Sequence, residues 1–319
     1  MRFFNLSLRR GKIASTLVLT LVLLLAGGRF AAKARAQDAV GAPPPESPTP
    51  PALFENRIPA DQLAFLNSYA GRTAKEIRKD KQFKALMKLA IPRTEFHYGR
   101  DMPLSDTVET LLDGAPMPID LRDGRYAMVA SHGGPYLEGR GFLWFDLQEG
   151  IALGGVYFHP VNGEPTPTLA IFSRQLKDTE LSMGQLPAAF QQDLAQWMLV
   201  AGPRVVSPRY FIPENGKKYV LLHDEDYCAH REGTAAPPQD RCEVLNAEAA
   251  DADMKAAYFM QQTHNAANAT AWMPGANLLG AGQVAWIGAR ESTCGPAGFV
   301  CWIRITRQRT RVLLGPQPN

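Results

Sequence analysis

The sequence predicts an α+β protein: an antiparallel sheet with a packed helix, followed by a small disulfide-stapled helical module. Three observations carry this. Between residues 117 and 223, apolar runs of four to eight residues alternate with Gly, Asn-Gly and Pro turns, the signature of consecutive strands. Within that region, Phe190, Leu194 and Trp197 recur at i, i+4, i+7 and mark a helix over 186–199. All four cysteines, Cys228, Cys242, Cys294 and Cys301, fall in the last third, beside runs with helical character. An even cysteine count confined to one region reads as a disulfide framework in an oxidising compartment.

Residues 1–36 read as an export signal. Arg2, Arg9, Arg10 and Lys12 precede the apolar stretch Ile13 to Ala26, and Ala34-Arg35-Ala36 is an A-x-A cleavage site before Gln37. The apolar run of 14 residues falls short of the roughly 20 that span a bilayer. A periplasmic or secreted protein with no stable membrane span is therefore expected. The signal also holds seven of the 34 basic groups and no acidic one, so residues 37–319 carry 27 basic against 31 acidic side chains, net −4. A mildly acidic chain without clustered Lys and Arg is a poor nucleic-acid binder.

Residues 37–58 form a linker, its Pro-rich part (Ala42 to Pro51) unable to build a core and read as an extended spacer. Residues 59–116 form a helical N-terminal segment, with Leu63, Leu66 and Tyr69, then Phe83, Leu86 and Met87, at helical spacing; Gly71 interrupts it and Pro92 ends its clearest part. The basic residues from Lys75 to Lys88 read as a solvated helix face.

The sheet region spans 117–223. Its strands are expected at 125–129, 142–145, 151–158, 168–173, 205–212 and 219–222, with turns at Asp123-Gly124, Glu149-Gly150 and Asn162-Gly163. Residues 224–314 form the stapled module: a helix over about 242–264, a second ending at Cys294 and a third starting at Cys301. Four cysteines allow three pairings. Folding the first two helices into a hairpin brings Cys242 to the end that carries Cys294 and Cys301, so at least one bond between these is expected.

No G-x-S-x-G elbow, H-E-x-x-H helix, P-loop or dinucleotide fingerprint occurs, and no residue stands out as a nucleophile. The cluster His223-Asp224-Glu225-Asp226, with Cys228 and His230 close by, has metal-ligand residue types. Consecutive side chains point in different directions, and a disulfide-bonded cysteine is no thiolate ligand. No catalytic residue, metal or cofactor is expected. The glycine-rich stretch Ser131 to Gly141 carries His132, Tyr136, Glu138 and Arg140 and reads as a protruding loop. In the module, Trp286 and Arg290 share a helix face.

Those module residues resemble a known family. Cys242, Ala250-Asp251, Met254, Lys255 and Tyr258, then Gln283, Trp286, Arg290 and Cys294, then Cys301, Thr306 and Arg309 follow the order and spacing of the LprI-type lysozyme-inhibitor domain family. The family pattern has Leu and Asn where this chain has Met254 and Lys255. A fainter resemblance links residues 117–200, through Gly141-Phe142-Leu143-Trp144-Phe145-Asp146 and the loop bearing His132, to the Ivy-type lysozyme inhibitors. Their His-bearing loop is pinned by two cysteines, which this loop lacks.

The resemblance implies a protein that blocks a lysozyme-like muramidase by contact. Arg290, Arg304 and Arg309, with His132, are the expected donors to a carboxylate-lined groove. The alternative is an envelope carbohydrate-binding protein or hydrolase, with Trp144, Tyr157 and Trp197 stacking on sugars.

Overall fold

In a computed structural model, which describes residues 53–134, 136–177, 181–229, 238–268, 275–295 and 298–315, seven strands lie side by side between two helical layers. The expected signal peptide and the Pro-rich stretch up to residue 52 lie outside the described residues. No helix among the described residues is long and apolar enough to cross a membrane.

The first layer starts with α1 (Ala60–Leu63), a 3-10 turn (Ala64–Tyr69), α2 (Ala74–Ile77) and α3 (Lys81–Ala90). A capping box between Thr73 and Glu76 opens α2, and the Asp80 carboxylate accepts the Gln82 N–H to open α3. A short antiparallel pair, β1 (Glu95–His97) and β2 (Asp101–Pro103), leads into α4 (Leu104–Leu112). The hairpin interrupts the helical segment expected over 59–116, and the sequence missed it because three-residue strands hold too few positions to establish a period.

The main sheet runs β3 (Asp120–Arg122), β4 (Tyr126–Ala130), β5 (Arg140–Asp146), β6 (Ile151–Phe158), β7 (Thr168–Phe172), β8 (Arg209–Ile212) and β9 (Tyr219–Val220), neighbours in that order. Every neighbouring pair is antiparallel except β7 and β8, which are parallel. The α+β class stands, but the sheet is mixed rather than wholly antiparallel. The physical reason is the segment between β7 and β8, which carries α5 (Ala188–Ala201) across one face and returns the chain to the end at which β7 begins.

Alternation sorts the side chains. Ala127, Val129, Leu143, Phe145, Val156, Phe158 and Phe172 face α1 to α4, whereas Met128, Phe142, Trp144, Leu153, Leu169 and Ile171 face α5. Burial on both faces is why these strands read as continuous apolar runs. Gly154 and Gly155 keep the centre of β6 thin. A Cβ on the first would stand 2.2 Å from the Phe172 ring, and one on the second 2.4 Å from the Phe142 ring.

Two buried carboxylates fasten the sheet. Asp193 on α5 receives the Trp144 indole N–H at 2.7 Å and two hydrogen bonds from Arg122 on β3. Asp146, at the end of β5, is held by Arg125 at 2.9 and 2.7 Å and caps the turn by accepting the Gln148 and Glu149 N–H groups. Burial alone would raise the Asp146 carboxyl; the Arg125 bonds and the two backbone donors outweigh it and hold the group below the ordinary aspartate value. A carboxyl whose folded value is depressed contributes stability above its unfolded value, and loses it as pH falls through the folded one. Thermal melting should accordingly be flat above about pH 5 and drop below about pH 4. Asp146→Asn should melt lower at neutral pH and lose part of that acid dependence.

The C-terminal helices are α6 (Gln239–Asn268), α7 (Gly275–Cys294) and α8 (Phe299–Leu314). The N-terminal half of α6 lies against the β8–β9 side of the sheet, where Ala249 and Ala252 meet Val206, Tyr227 and Leu245. A fully buried His223 side chain donates its Nδ1–H to Asp253 at 2.7 Å, and the same carboxylate accepts the His223 backbone N–H. The module is thus bolted to the sheet as well as stapled within itself.

Candidate binding site on the C-terminal module

All four cysteines are oxidised, but the pairing differs from the expectation. Cys228 bonds Cys242 with Cα atoms 4.9 Å apart, and Cys294 bonds Cys301 with Cα atoms 5.4 Å apart. No bond joins Cys242 to the Cys294–Cys301 region. Helix overhang explains it. Asp251 of α6 is level with Arg290 of α7 and Trp302 of α8, since both donate to its carboxylate. From that level Cys242 lies nine residues back, about 13 Å along the axis, while Cys294 lies only four residues on, about 6 Å. Adding the 8–10 Å between packed axes puts Cys242 far beyond the roughly 7 Å that a disulfide bridges. Each bond instead closes a short local loop, of sequence separation 14 and 7, worth about 3 and about 2 kcal/mol on the chain-entropy model.

The residues that carry the family resemblance converge. The Arg290 guanidinium sits 3.5 Å from the Trp302 ring centre and 4.7 Å from that of Trp286, between two indoles. Its Nη1 donates to Asp251 at 2.6 Å and to the Thr306 hydroxyl at 2.8 Å. Trp302 donates its indole N–H to the same Asp251 oxygen at 3.2 Å. One turn along, Arg309 donates to Gln283, whose amide reaches the Met254 sulfur. Three helices with a small apolar core of Met254, Ala257 and Leu313 are thereby tied by a cation held between aromatic rings. The tryptophans pack the module, and Arg290 pairs with Asp251.

This decides which expected donors face outward. Arg290 is 6% exposed, with its Nη1 committed to Asp251 and Thr306, so its role is to hold the helices. Arg309 is half-buried against Gln283. Arg304 is exposed, and so are Arg307 and Arg311, which the sequence reading passed over. The signal was present: 304, 307 and 311 are spaced i, i+3, i+7 and fall on one helix face. Arg307 lies near enough to Asp226 to help hold its carboxyl low, behind the Asn246 and Cys228 donors that do most of that work. Neither Arg304 nor Arg311 has an ion-pair partner among the described residues.

His132 is exposed too, on the loop between β4 and β5. Backbone bonds hold the loop's ends where cysteines are lacking. Ala115 exchanges bonds with His132 and Gly133, the Trp197 indole donates to the Ser131 carbonyl, and Tyr98 donates to the Tyr136 carbonyl. Leu137 and Glu138 both take left-handed backbone angles, φ 49° each, a strained choice for such residues. No hydrogen bond or ion pair among the described residues joins this loop to α8.

The acidic run after β9 scatters as its spacing requires. His223 pairs with Asp253 and Asp224 accepts the Gly184 N–H. Glu225 pairs with Arg209, and Asp226 accepts from Asn246. His230 lies outside the described residues. Trp144, Tyr157 and Trp197, the residues named for sugar stacking, are 0%, 2% and 1% exposed and belong to the core between sheet and α5. They have no face to offer a sugar.

Comparison with protein-family models, with curated proteins and with solved structures finds no match to this chain.

Proposed function

We propose that this chain is an exported, extracytoplasmic protein, processed after Ala36, that binds and inhibits a lysozyme-like muramidase through the arginine ridge of α8. The observation that carries the reading is the exposed row Arg304, Arg307 and Arg311 on a helix locked at one end by Cys294–Cys301 and along its inner face by Arg290. Two disulfides fit an oxidising compartment. Adjacent ridge positions rise about 4.5 and about 6 Å along the axis. Catalytic carboxylates of a retaining glycosidase stand about 5–5.5 Å apart, so two neighbouring guanidinium groups match such a pair in spacing and charge. A pre-ordered helix also loses little entropy on docking.

The test is muramidase activity on cell-wall substrate with the purified protein added. Inhibition of at least one muramidase type at micromolar concentration is expected. The triple reversal Arg304→Glu, Arg307→Glu, Arg311→Glu should weaken it by about 100-fold or more, since each charge-assisted hydrogen bond is worth about 1.5–3 kcal/mol. These side chains are exposed, so the helical circular dichroism should not change. No inhibition of any muramidase type, or full inhibition by the triple variant, removes this reading.

A further inference from the structure

A second feature lies in the first helical layer, away from the α8 ridge. An open cleft of about 810 Å³ runs between α3 and α4. Its apolar lining is Met87, Ile91, Pro92 and Pro103. Lys84 and Lys88, one turn apart on α3, bring cations to it with Arg93; Asp106 and Glu109 on α4, with Glu95, bring carboxylates. A recess of about 190 Å³ continues it past Arg78 and Lys79. The basic stretch that reads from sequence as a solvated face therefore borders a cavity.

The decisive observation is what these six charges do not do. Three cations and three carboxylates line one cleft, yet no ion pair within 4.0 Å joins any two of them. Charges beside these six do pair: Arg78, at the recess, with Asp113 at 2.9 Å, and Arg174 with Glu214 at 3.0 Å. Inside the cleft, the cations belong mainly to one helix and the carboxylates to the other, so the gap between the helices holds them apart. A molecule with a cationic end, an anionic end and an apolar middle satisfies both sides. The volume is that of a site for a ligand of a few hundred daltons. No aromatic residue lines it, so a sugar finds no stacking face.

We propose that the α3–α4 cleft binds a short peptide with both termini free. The ammonium group lies towards Asp106, Glu109 and Glu95, the carboxylate towards Lys84, Lys88 and Arg93, and an apolar side chain on Met87 and Ile91. An extended tripeptide is about 10 Å long, short enough to lie in a cleft that α3 and α4 line from opposite sides.

The experiment titrates the purified full chain with Ala-Leu-Ala and follows backbone amide resonances, alongside N-acetylated and C-amidated forms. The free peptide should give saturable shifts within residues 84–109, with half-saturation below about 1 mM. Capping either end should weaken binding about tenfold or more, the worth of one charge-assisted hydrogen bond. Lys84→Ala with Lys88→Ala should abolish the effect of capping the C-terminus, and Asp106→Asn with Glu109→Gln that of capping the N-terminus. All four side chains are exposed, so these variants keep the fold, and muramidase inhibition should be unchanged in both. Absence of saturable shifts at about ten times that concentration, equal binding of free and capped peptides, or shifts elsewhere that ignore the variants overturns the proposal. Each such result leaves the reading of α8 untouched.

Discussion

Arg290→Ala is expected to cost the C-terminal module about 3–5 kcal/mol, the usual consequence of breaking a buried ion pair on one side. The variant leaves Asp251 without its cation, the Thr306 hydroxyl without its donor, and the Trp286 and Trp302 rings around a void. Asp251 keeps some solvent contact, 27% for its side chain, which places the loss towards the lower end of that range. Arg290→Lys keeps the charge but loses the planar group that stacks between two indoles, and should recover only part of the loss. Urea unfolding followed by tryptophan fluorescence and by helical circular dichroism measures both. The module should unfold at lower urea than the sheet, and inhibition should go with it. A loss under about 1 kcal/mol would mean that the disulfides alone hold these helices.

Asp193→Ala should destabilise the sheet domain by a similar amount, about 3–5 kcal/mol. Its carboxylate is the acceptor for both the Trp144 indole N–H and the Arg122 guanidinium, and it ties α5 to β3 and β5. Removal leaves the buried Trp144 N–H unsatisfied, which is costly by itself, and leaves Arg122 only the exposed Asp123 carboxylate and the Ala189 carbonyl. Asp193→Asn retains a carbonyl oxygen for Trp144 and should lose less. The exposed neighbour Gln192→Ala is the control, expected within about 0.5 kcal/mol of the parent. Equal unfolding midpoints for Asp193→Ala and Gln192→Ala would show that the carboxylate network does not hold the two layers together.

How much was legible depended on the range of the signal. Ile151–Phe158 announced itself because eight successive apolar or small residues bounded by turns fit a strand buried on both faces. The helix at Ala188–Ala201 showed through Phe190, Leu194 and Trp197, which do line its packed face. Short elements such as Asp120–Arg122 carry no period and stayed hidden. In the module, the spacing of Asp251, Gln283, Trp286, Arg290, Thr306 and Arg309 marked the residues that meet. It did not separate those that hold the helices together from those that face outward.

The sequence by itself determined the α+β class, the order of the main strands and helices, and the confinement of all four cysteines to the C-terminal module. Those properties follow from local periodicity, turn chemistry and composition. Only the tertiary structure decided that β7 and β8 run parallel, that each disulfide closes locally, that Arg290 is inside while Arg304 and its neighbours are outside, and that Lys84 faces a cleft with Glu109. Each of these depends on where one helix lies along or beside another. Axial offset and interhelical distance are set by side-chain packing between segments far apart in the chain, and no local pattern encodes them.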